Sequence, residues 1–259
     1  MLFMKQSHQW QKVIYPNQSG INLTGLLYKK PVAAGTVIVV CHGFAGSKEG
    51  GGRAVAMAEE MGRLGYSTLL FDFTGCGESE GDFAGISLTR HIGDVKSSVD
   101  FCRGLGFERV ITLGRSFGGT AALCLGRYGG RIAGVCTWAA PGAVQEVFAR
   151  YRKQAAKTAS DLFPISEEEG APNISKGFFA DLDRHDVYGQ AALIAPEPLL
   201  VIHGEQDQTV PVGNAQAIFD AAGEPKEIKI IRGADHQFTG RYQPVWETFF
   251  GWLLQKFPV

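Results

Sequence analysis

The sequence predicts an α/β fold in which a mostly parallel β-sheet is covered by helices on both faces. Continuous apolar runs such as residues 36–41 are typical of strands that are buried on both sides of a parallel sheet. These runs alternate along the chain with segments of helical periodicity. Repeated strand–helix units of this kind indicate parallel strands that are joined by helices crossing the sheet.

The predicted elements begin with an antiparallel hairpin, whose strands near 12–15 and 21–28 are joined by the turn-forming segment 16–20. Further strands are predicted at 36–41, 67–73, 110–113, 132–138, 199–203 and 227–231. Helices are predicted at 53–64, 87–105, 116–128, 214–222 and 242–257. Short connections join most of these elements, as expected within a single layered domain.

One long segment, 141–196, interrupts this alternation. It contains a helix-like stretch at 143–159, an acidic turn at 167–170 and several aromatic residues. A connection of this length inside a compact domain is seldom a plain loop. We therefore predict a cap or lid at 141–196, inserted into a core that is formed by residues 1–140 and 197–259.

Composition limits the kinds of partner that the protein is expected to bind and the cellular compartment in which it is expected to lie. A formal net charge of -1 provides no basic surface for nucleic acid or anionic membranes. No apolar run reaches the ~20 residues of a membrane-spanning helix, and residues 1–12 lack the apolar core of a signal peptide. Five cysteines without a C-x-x-C pair favour a reducing compartment. We expect a cytoplasmic protein that binds a small molecule, and a homodimer is compatible with the sequence.

The nucleophile candidate is Ser116, in the segment Gly114-Arg115-Ser116-Phe117-Gly118-Gly119. This G-x-S-x-G pattern follows a predicted strand and opens a predicted helix, which is the context of a nucleophile elbow. Glycines beside the serine permit a sharp turn without collisions, and the helix amino terminus favours developing negative charge. An ordinary glycine-rich turn is the alternative interpretation.

A serine hydroxyl requires a general base, and His236 is the predicted one. It lies in the loop between the last predicted strand and the final helix, from which an imidazole can reach the elbow. His203 ends a predicted strand and is interpreted as a structural residue that is hydrogen-bonded under the following turn. A histidine base must be neutral to accept a proton, so the rate is expected to fall below neutral pH.

The predicted carboxylate partner of the base is Asp207, which follows the strand at 199–203. The resulting order of serine, aspartate and histidine along the chain is the one this architecture uses. Asp207 could instead cap a turn, and Glu205 is the alternative carboxylate. Asp235, next to the base, is expected to stabilise its own loop.

Two backbone N–H groups are predicted to form an oxyanion hole. One belongs to Phe117, directly after the nucleophile, and the other to Phe44, in the loop after the strand at 36–41. His42 is a candidate for holding that loop in shape. The rings of Phe44 and Phe117 are expected either to line the pocket or to pack against the sheet.

Together these motifs resemble the α/β-hydrolase superfamily in order and spacing across nearly the whole chain. The most similar branch holds small bacterial carboxylesterases, including cinnamoyl or feruloyl esterases, and serine aminopeptidase-like hydrolases. The resemblance rests on His42-Gly43-Phe44, Asp72-Phe73-Thr74-Gly75-Cys76-Gly77-Glu78-Ser79, the Ser116 segment, His203-Gly204-Glu205-Gln206-Asp207 and Ala234-Asp235-His236. It implies an eight-stranded sheet, the triad, no cofactor and a cap that controls substrate choice. Arg115 departs from the histidine often found before the nucleophile.

The predicted reaction is hydrolysis of small acyl or aryl esters through an acyl-enzyme on Ser116. Because one triad serves several reactions, thioesterase, amidase or peptidase, and carbon–carbon bond hydrolase activities remain alternatives. A non-catalytic binding protein with the same fold is the alternative outside enzymes. A metal hydrolase built on His203, Asp207 and His236 is disfavoured because the chain lacks H-E-x-x-H or a helical ligand pair.

Overall fold

The strands of the protein follow the predicted order along the chain. The computed structural model describes residues 10–30, 35–126, 128–165 and 171–259. Residues 1–9 and the predicted acidic turn at 167–170 therefore lie outside the described residues. The strands are β1 (Trp10–Pro16), β2 (Asn22–Tyr28), β3 (Thr36–Cys41), β4 (Ser67–Phe71), β5 (Arg109–Arg115), β6 (Gly134–Trp138), β7 (Leu162–Pro164), β8 (Asn173–Ser175), β9 (Leu199–Gly204) and β10 (Lys226–Ile231).

The helices fall between these strands. They are α1 (Arg53–Arg63), α2 (Leu88–Gly104), α3 (Phe117–Leu123), α4 (Val144–Val147), α5 (Ala149–Ala155), α6 (Gly177–Leu182), α7 (Val187–Ala192), α8 (Gly213–Ala221) and α9 (Tyr242–Lys256). Among the described residues, none of these helices combines the length and the apolar character that crossing a membrane requires.

A single sheet of eight described strands organises the protein, in the order β1-β2-β4-β3-β5-β6-β9-β10. Strand β2 is antiparallel to β1 and to β4, and the remaining neighbours in the sheet are parallel. The predicted hairpin and the mostly parallel sheet are therefore confirmed. Because β3, β5, β9 and β10 run in the same direction, the loops that follow them meet at one edge of the sheet.

Apolar side chains cover both faces of the sheet, which is why its central strands are continuous apolar runs. Along β3, Val37 and Val39 belong to the core that contains residues of α2, α3 and α8, whereas Ile38 belongs to the core that contains residues of α1 and α9. Alternate side chains of a strand point to opposite faces. The helices on both faces that the sequence predicts are thus confirmed.

Two predicted boundaries differ at the edge where the loops meet. The strand predicted at 67–73 ends at Phe71, so Asp72 and Phe73 belong to the loop that follows. The helix predicted at 116–128 begins at Phe117 and ends at Leu123. Local backbone conformation accounts for both ends, since Ser116 has a φ of +51° and Gly126 a φ of +54°, neither of which a right-handed helix accommodates.

The described part of the segment 141–196 contains four short helices and a small hairpin. The predicted helix-like stretch at 143–159 becomes α4 and α5, and the antiparallel strands β7 and β8 lie between α5 and α6. Asp181 of α6 fastens the segment to the core, because its carboxylate accepts hydrogen bonds from the hydroxyl (2.6 Å) and the N–H (3.0 Å) of Thr89 in α2. Its function as a cap stays a prediction.

His91 lies in the core beside the elbow. It is 1% exposed, and its ring stacks on Phe73 with 4.0 Å between the ring centres and meets Phe117 edge-on at 5.0 Å. Burial, followed by the proximity of His42, lowers its pKa from 6.5 to about 3. The folded protein therefore keeps this imidazole neutral at a pH where the unfolded chain protonates it.

We predict that His91 contributes to loss of stability in acid. Between pH 7 and pH 5 the unfolded chain gains a proton at this position that the folded chain does not bind, so the free energy of unfolding falls by about 2 kcal/mol. Urea unfolding of the wild type and of His91→Asn at both pH values measures this, and the variant should lose that much less. Equal pH dependence of the two proteins would contradict the prediction. Part of the dependence should persist in the variant, because burial also lowers the pKa of His42.

Candidate active site

Ser116 sits in a strained turn between β5 and α3. Its backbone has φ 51° and ψ -125°, a conformation that a residue with a side chain adopts only when the surroundings enforce it. The Ser116 N–H donates a hydrogen bond of 2.8 Å to the carbonyl oxygen of Trp138, at the end of the neighbouring β6. The turn is thereby held on the sheet, as the sequence predicts for a nucleophile elbow.

The glycines around Ser116 are required by close backbone contacts. A Cβ atom on Gly114 would overlap the backbone of Gly118 and Gly119, and one on Gly118 would overlap the carbonyl oxygens of Cys41 and His42. On Gly119 it would lie 2.8 Å from the Cβ atom of Ala140. These contacts bring α3 against the ends of β3 and β5, which places Ser116 at the edge where the loops meet.

The structure brings Ser116, His236 and Asp207 together. His236 Nε2 lies 3.1 Å from Ser116 Oγ, and His236 Nδ1 lies 2.7 Å from Asp207 Oδ2. Both distances are within hydrogen-bond reach, as proton transfer from the serine requires. Ser116 and His236 are partly exposed, whereas Asp207 is buried. A substrate can therefore reach the serine and the histidine, while the carboxylate is shielded from water.

Asp207 also closes its own turn, so its two interpretations from sequence are compatible. Its Oδ1 accepts hydrogen bonds from the N–H groups of Thr209 (2.9 Å) and Val210 (2.8 Å). Burial alone would raise the pKa of this carboxyl, but its interactions with His203, His236 and the Val210 N–H outweigh burial and hold the pKa well below its ordinary value. The ionised carboxylate can only accept, so His236 Nδ1 carries the proton and Nε2 faces Ser116 with its lone pair.

His203 occupies the structural position expected of it. Its Nε2 lies 2.8 Å from the carbonyl oxygen of Val210 and 3.3 Å from Asp207 Oδ2, inside the turn that follows β9. The side chain is completely buried. His203 therefore approaches the same carboxylate oxygen that His236 Nδ1 contacts.

The other two carboxylates near the base have different partners. Glu205 accepts a hydrogen bond of 2.9 Å from the N–H of Gly233, which ties the loop after β9 to the loop after β10. Asp235 accepts from the N–H groups of Gln237 (3.0 Å) and Thr239 (2.8 Å), so it stabilises its own loop as expected. Neither has a hydrogen bond with His236 in the described part of the chain. The geometry thus favours Asp207 over Glu205 as the partner of the base.

The N–H groups of Phe44 and Phe117 are available at the two sides of the elbow. Within the residues that the structure describes, neither donates a hydrogen bond to another group. His42 shapes the first loop: its Nδ1 donates to the carbonyl oxygen of Gly43 (2.8 Å), and its Nε2 accepts from the N–H of Phe73 (3.2 Å). Gly43 is close to the nucleophile, since a Cβ atom there would lie 3.3 Å from the Cβ of Ser116.

A buried ion pair, which sequence analysis did not identify, holds this loop in place. Asp72 accepts hydrogen bonds from the Nζ (2.7 Å) and the N–H (2.6 Å) of Lys48, and from the N–H of Glu78 (2.9 Å). The Glu78 carboxylate also pairs with Lys48 at 2.6 Å. Asp72 and Glu78 belong to the motif at 72–79, which contributed only to the family resemblance. No pattern in the sequence connects that motif to Lys48.

Arg115, which stands where related sequences often have histidine, connects two parts of the site. Its Nη2 donates to the carbonyl oxygen of His236 (3.2 Å) and to Oε1 of Gln237 (2.7 Å). The guanidinium therefore links the strand before the nucleophile to the loop that carries the base. A shorter histidine side chain has no comparable fork of donors.

Comparison with known proteins assigns the family. A family model described as serine aminopeptidase, S33 (Hydrolase_4) matches residues 33–194, which is more than half of the chain. The chain belongs to this family of α/β hydrolases. YfhR of Salmonella typhi, an uncharacterised protein, is 27% identical to this hydrolase over 246 residues, which cover 90% of this chain and 77% of YfhR.

Solved structures share the fold of this hydrolase. Est1E from Butyrivibrio proteoclasticus, determined with ferulic acid bound, has a TM-score of 0.81 at 20% identity and covers 94% of this chain and 98% of its own. The α/β hydrolase GrgF from Penicillium sp. sh18 has a TM-score of 0.80 at 17% identity, over 96% of this chain and 99% of its own. At such identities the likeness concerns the fold alone.

Aromatic rings from the inserted segment cover one side of the elbow in this hydrolase. Phe148 and Phe178 lie 5.1 and 5.7 Å from the ring centre of Phe44, and 5.5 and 5.8 Å from that of Phe117. Phe83 adds a further edge-on contact to Phe44 at 5.6 Å. Both rings therefore pack against the core and against this segment, while a place in the wall of a substrate pocket stays a prediction.

The described residues also answer whether the acidic and histidine side chains form a metal centre. In the described ranges, no group of three or more His, Cys, Asp or Glu side chains is arranged to hold a metal ion.

All five cysteines are free and buried, and burial raises the pKa of the Cys41 thiol far above its ordinary value. A buried protonated thiol is a poor nucleophile.

We predict that Gly118→Ala destabilises the elbow. The added methyl group would overlap the backbone oxygens of Cys41 and His42, which cannot rotate away, so the free energy of unfolding should fall by about 2–3 kcal/mol. Gly93→Ala, in α2, is the matched control because a Cβ atom there meets nothing within 4 Å. It should be neutral or raise stability by about 0.5–1 kcal/mol. Urea unfolding measures both, and similar stability of the two variants would contradict the prediction.

Proposed function

We propose that this hydrolase cleaves carboxylic esters through Ser116, His236 and Asp207 by way of an acyl-enzyme. The observation that carries the proposal is the continuous series of contacts from Ser116 Oγ to His236 (3.1 Å) and from His236 to Asp207 (2.7 Å). It starts at a strained elbow whose conformation costs stability, and strain of this kind is retained mainly where it serves function.

The first half of the proposed reaction forms a bond to Ser116. Its Oγ attacks the ester carbonyl carbon while His236 Nε2 takes the hydroxyl proton, and Asp207 stabilises the resulting imidazolium. The tetrahedral intermediate then breaks the bond to the leaving oxygen, to which His236 returns the proton as the alcohol departs. In the second half, a water molecule gives a proton to His236 and attacks the acyl carbon. The bond between the acyl carbon and Ser116 Oγ then breaks, His236 returns its proton to Ser116, and the product departs as the carboxylic acid, which ionises in water.

The negative charge of both intermediates requires donors near the carbonyl oxygen. We assign this role to the N–H groups of Phe44 and Phe117, which flank the elbow and have no acceptor among the described residues. Donors that are fixed before the reaction do not need to reorient as charge develops, which is the source of their large effect on rate. The Lys48–Asp72 ion pair supports the first donor by holding its loop.

We infer that the segment 141–196 is a cap and that the acyl group it admits is apolar, either short aliphatic or aryl. Phe148 and Phe178 of this segment contact the rings of Phe44 and Phe117, so the segment borders directly on the two oxyanion donors. Aromatic side chains provide apolar walls with few rotatable bonds, which suits a small planar or aliphatic group. The cytoplasmic location and the homodimer stay predictions of the sequence.

Amide or peptide hydrolysis is the second candidate, because the matching family is described as serine aminopeptidase. The same triad attacks esters, thioesters and amides, and an ester has the better leaving group than the amide of the same acid. The values of kcat/KM for an ester, a thioester and an anilide that share one acyl group separate these activities. Comparable values for the anilide would favour the peptidase interpretation.

We predict that Ser116→Ala abolishes both ester hydrolysis and covalent labelling by an organophosphonate. Removal of the nucleophile should lower kcat for p-nitrophenyl esters by on the order of 10^6-fold. Ser19→Ala, at an exposed turn serine, is the control and should keep full activity and labelling. Labelling of Ser116→Ala to the wild-type extent would overturn the assignment. If neither the wild type nor the control hydrolysed these p-nitrophenyl esters, the non-catalytic alternative would be favoured.

We predict that Asp207→Asn lowers kcat by about 10^3- to 10^4-fold with little change in KM, because an amide favours the wrong histidine tautomer. Glu205→Gln is the matched control, since Glu205 is bonded to the Gly233 N–H rather than to His236. Steady-state kinetics should show less than about a tenfold effect there. If the two variants lost activity equally, or if Glu205→Gln lost more, Asp207 would not be the partner of the base.

A further inference from the structure

A cavity borders both the loop that carries the proposed oxyanion donor Phe44 and the loop that carries the base His236. It has a volume of about 200 Å³ and is bordered by the loop after β3, the start of α1 and the start of α9. Its walls include Gly43, Arg53, Arg115, Trp138, Tyr242 and Trp246. We call it the two-arginine cavity. The aromatic groups of Phe148 and Phe178 lie elsewhere, so it is distinct from the acyl site proposed above.

Two guanidinium groups in this cavity lack a carboxylate partner. Arg115 is half-buried and donates to neutral acceptors, which are the carbonyl oxygen of His236 and the amide oxygen of Gln237. Arg53 donates to the Tyr242 hydroxyl at 2.6 Å and lies over the ring of that residue. Neither forms an ion pair within the residues that the structure describes. Arg53 is exposed and Arg115 is half-buried, and both donate to neutral acceptors, so a carboxylate that replaced those acceptors would form stronger, charge-assisted hydrogen bonds.

The other charged groups nearby have hydrogen-bond partners of their own. Lys48 also borders the cavity, but its ammonium is bonded to Asp72 and Glu78. Asp207 and Asp235 are close enough to act on Arg115 electrostatically, yet the first is bonded to His236 and the second to backbone N–H groups. Neither Asp207 nor Asp235 therefore forms a hydrogen bond with Arg53 or Arg115 among the described residues, and the two guanidinium groups keep neutral acceptors.

The remaining walls indicate the shape of a ligand. Trp138, Tyr242 and Trp246 supply aromatic surface, and Met57 and Leu113 add apolar contacts. The volume is below the ~300–1,000 Å³ of pockets for drug-sized molecules, so it suits a small ligand. Guanidinium groups bind carboxylates through paired hydrogen bonds, and aromatic walls favour a flat apolar body.

We propose that the two-arginine cavity binds a small organic carboxylate with a planar apolar body, whose carboxylate lies between Arg53 and Arg115. The cavity shares walls with the triad: Gly43 contacts Ser116, and Arg115 holds the carbonyl oxygen of His236. The carboxylate belongs either to a free acid or to a charged arm of the substrate. The first source requires no catalysis, whereas the second rests on the proposed ester hydrolysis.

Calorimetric titration with benzoate tests the site directly, because benzoate has no bond that the triad can cleave. We expect benzoate to bind and neutral benzamide, which has the same shape, to bind much more weakly. Arg53→Gln should weaken benzoate binding by about tenfold or more, and Arg53→Lys should restore part of it. Arg63→Gln removes an exposed guanidinium from the other end of α1 and should leave both binding and activity unchanged.

A second variant and a second measurement keep the test valid if Arg53→Gln fails to fold. Arg115→Gln, assessed by binding alone, should weaken benzoate as Arg53→Gln does. Two tryptophans border the cavity, so benzoate should also change the tryptophan fluorescence of the wild type but not that of Arg53→Gln.

Kinetics with two p-nitrophenyl esters distinguish the sources of the carboxylate. If it is an arm of the substrate, the hemisuccinate should have a higher kcat/KM than the neutral butyrate, and Arg53→Gln should remove this preference. If it is a free acid, benzoate should bind without such a preference. Both results support the cavity as a carboxylate site. The proposal would be overturned if the wild type showed neither benzoate binding nor the ester preference. It would also be overturned if Arg53→Gln and Arg115→Gln left both of them unchanged. Either result would count against the cavity whatever the outcome for Ser116→Ala.

Discussion

The left-handed backbone of Ser116 is the constraint on which the rest of the site depends. A φ of 51° at a residue with a side chain is unfavourable, so it persists because the parallel strands β3, β5 and β6 hold the turn from both sides. Close approach of α3 to the end of β3 requires Gly118, and the bond from the Ser116 N–H to Trp138 fastens the turn to β6. Ser116 Oγ is thereby held at the sheet edge, where it faces residues of the adjacent loops such as His236.

The charged groups around this turn have defined partners. One oxygen of Asp207 lies near both His203 and His236 and the other accepts from two N–H groups, which keeps the carboxylate ionised in a buried position. On the opposite side, Asp72 neutralises Lys48 and fixes the loop that contains Phe44. The exception is the pair of arginines beside these loops, which have no carboxylate partner among the described residues. Two such guanidinium groups next to a site that would release carboxylic acids are the basis of the proposed carboxylate cavity.

The inserted segment is coupled to the core by two different kinds of contact. Asp181 anchors it by hydrogen bonds to α2, whereas Phe148 and Phe178 contact the residues that would supply the oxyanion donors. Hydrogen bonds to a carboxylate fix position, and aromatic contacts tolerate sliding and tilting of the rings. A substrate that displaces these rings would therefore act on Phe44 and Phe117 as well as on the segment 141–196.

The sequence alone determined the alternation of strands and helices, the elbow around Ser116, and the ordered candidates Asp207 and His236. Periodicity and glycine spacing are local signals, because they reflect the surroundings of a residue within one element. Only the tertiary structure showed that Asp207 rather than Glu205 faces His236, that Lys48 pairs with Asp72, and that Arg53 and Arg115 border one cavity. These facts depend on which loops meet at the sheet edge, and contacts between residues distant in sequence leave no periodic trace in a single chain.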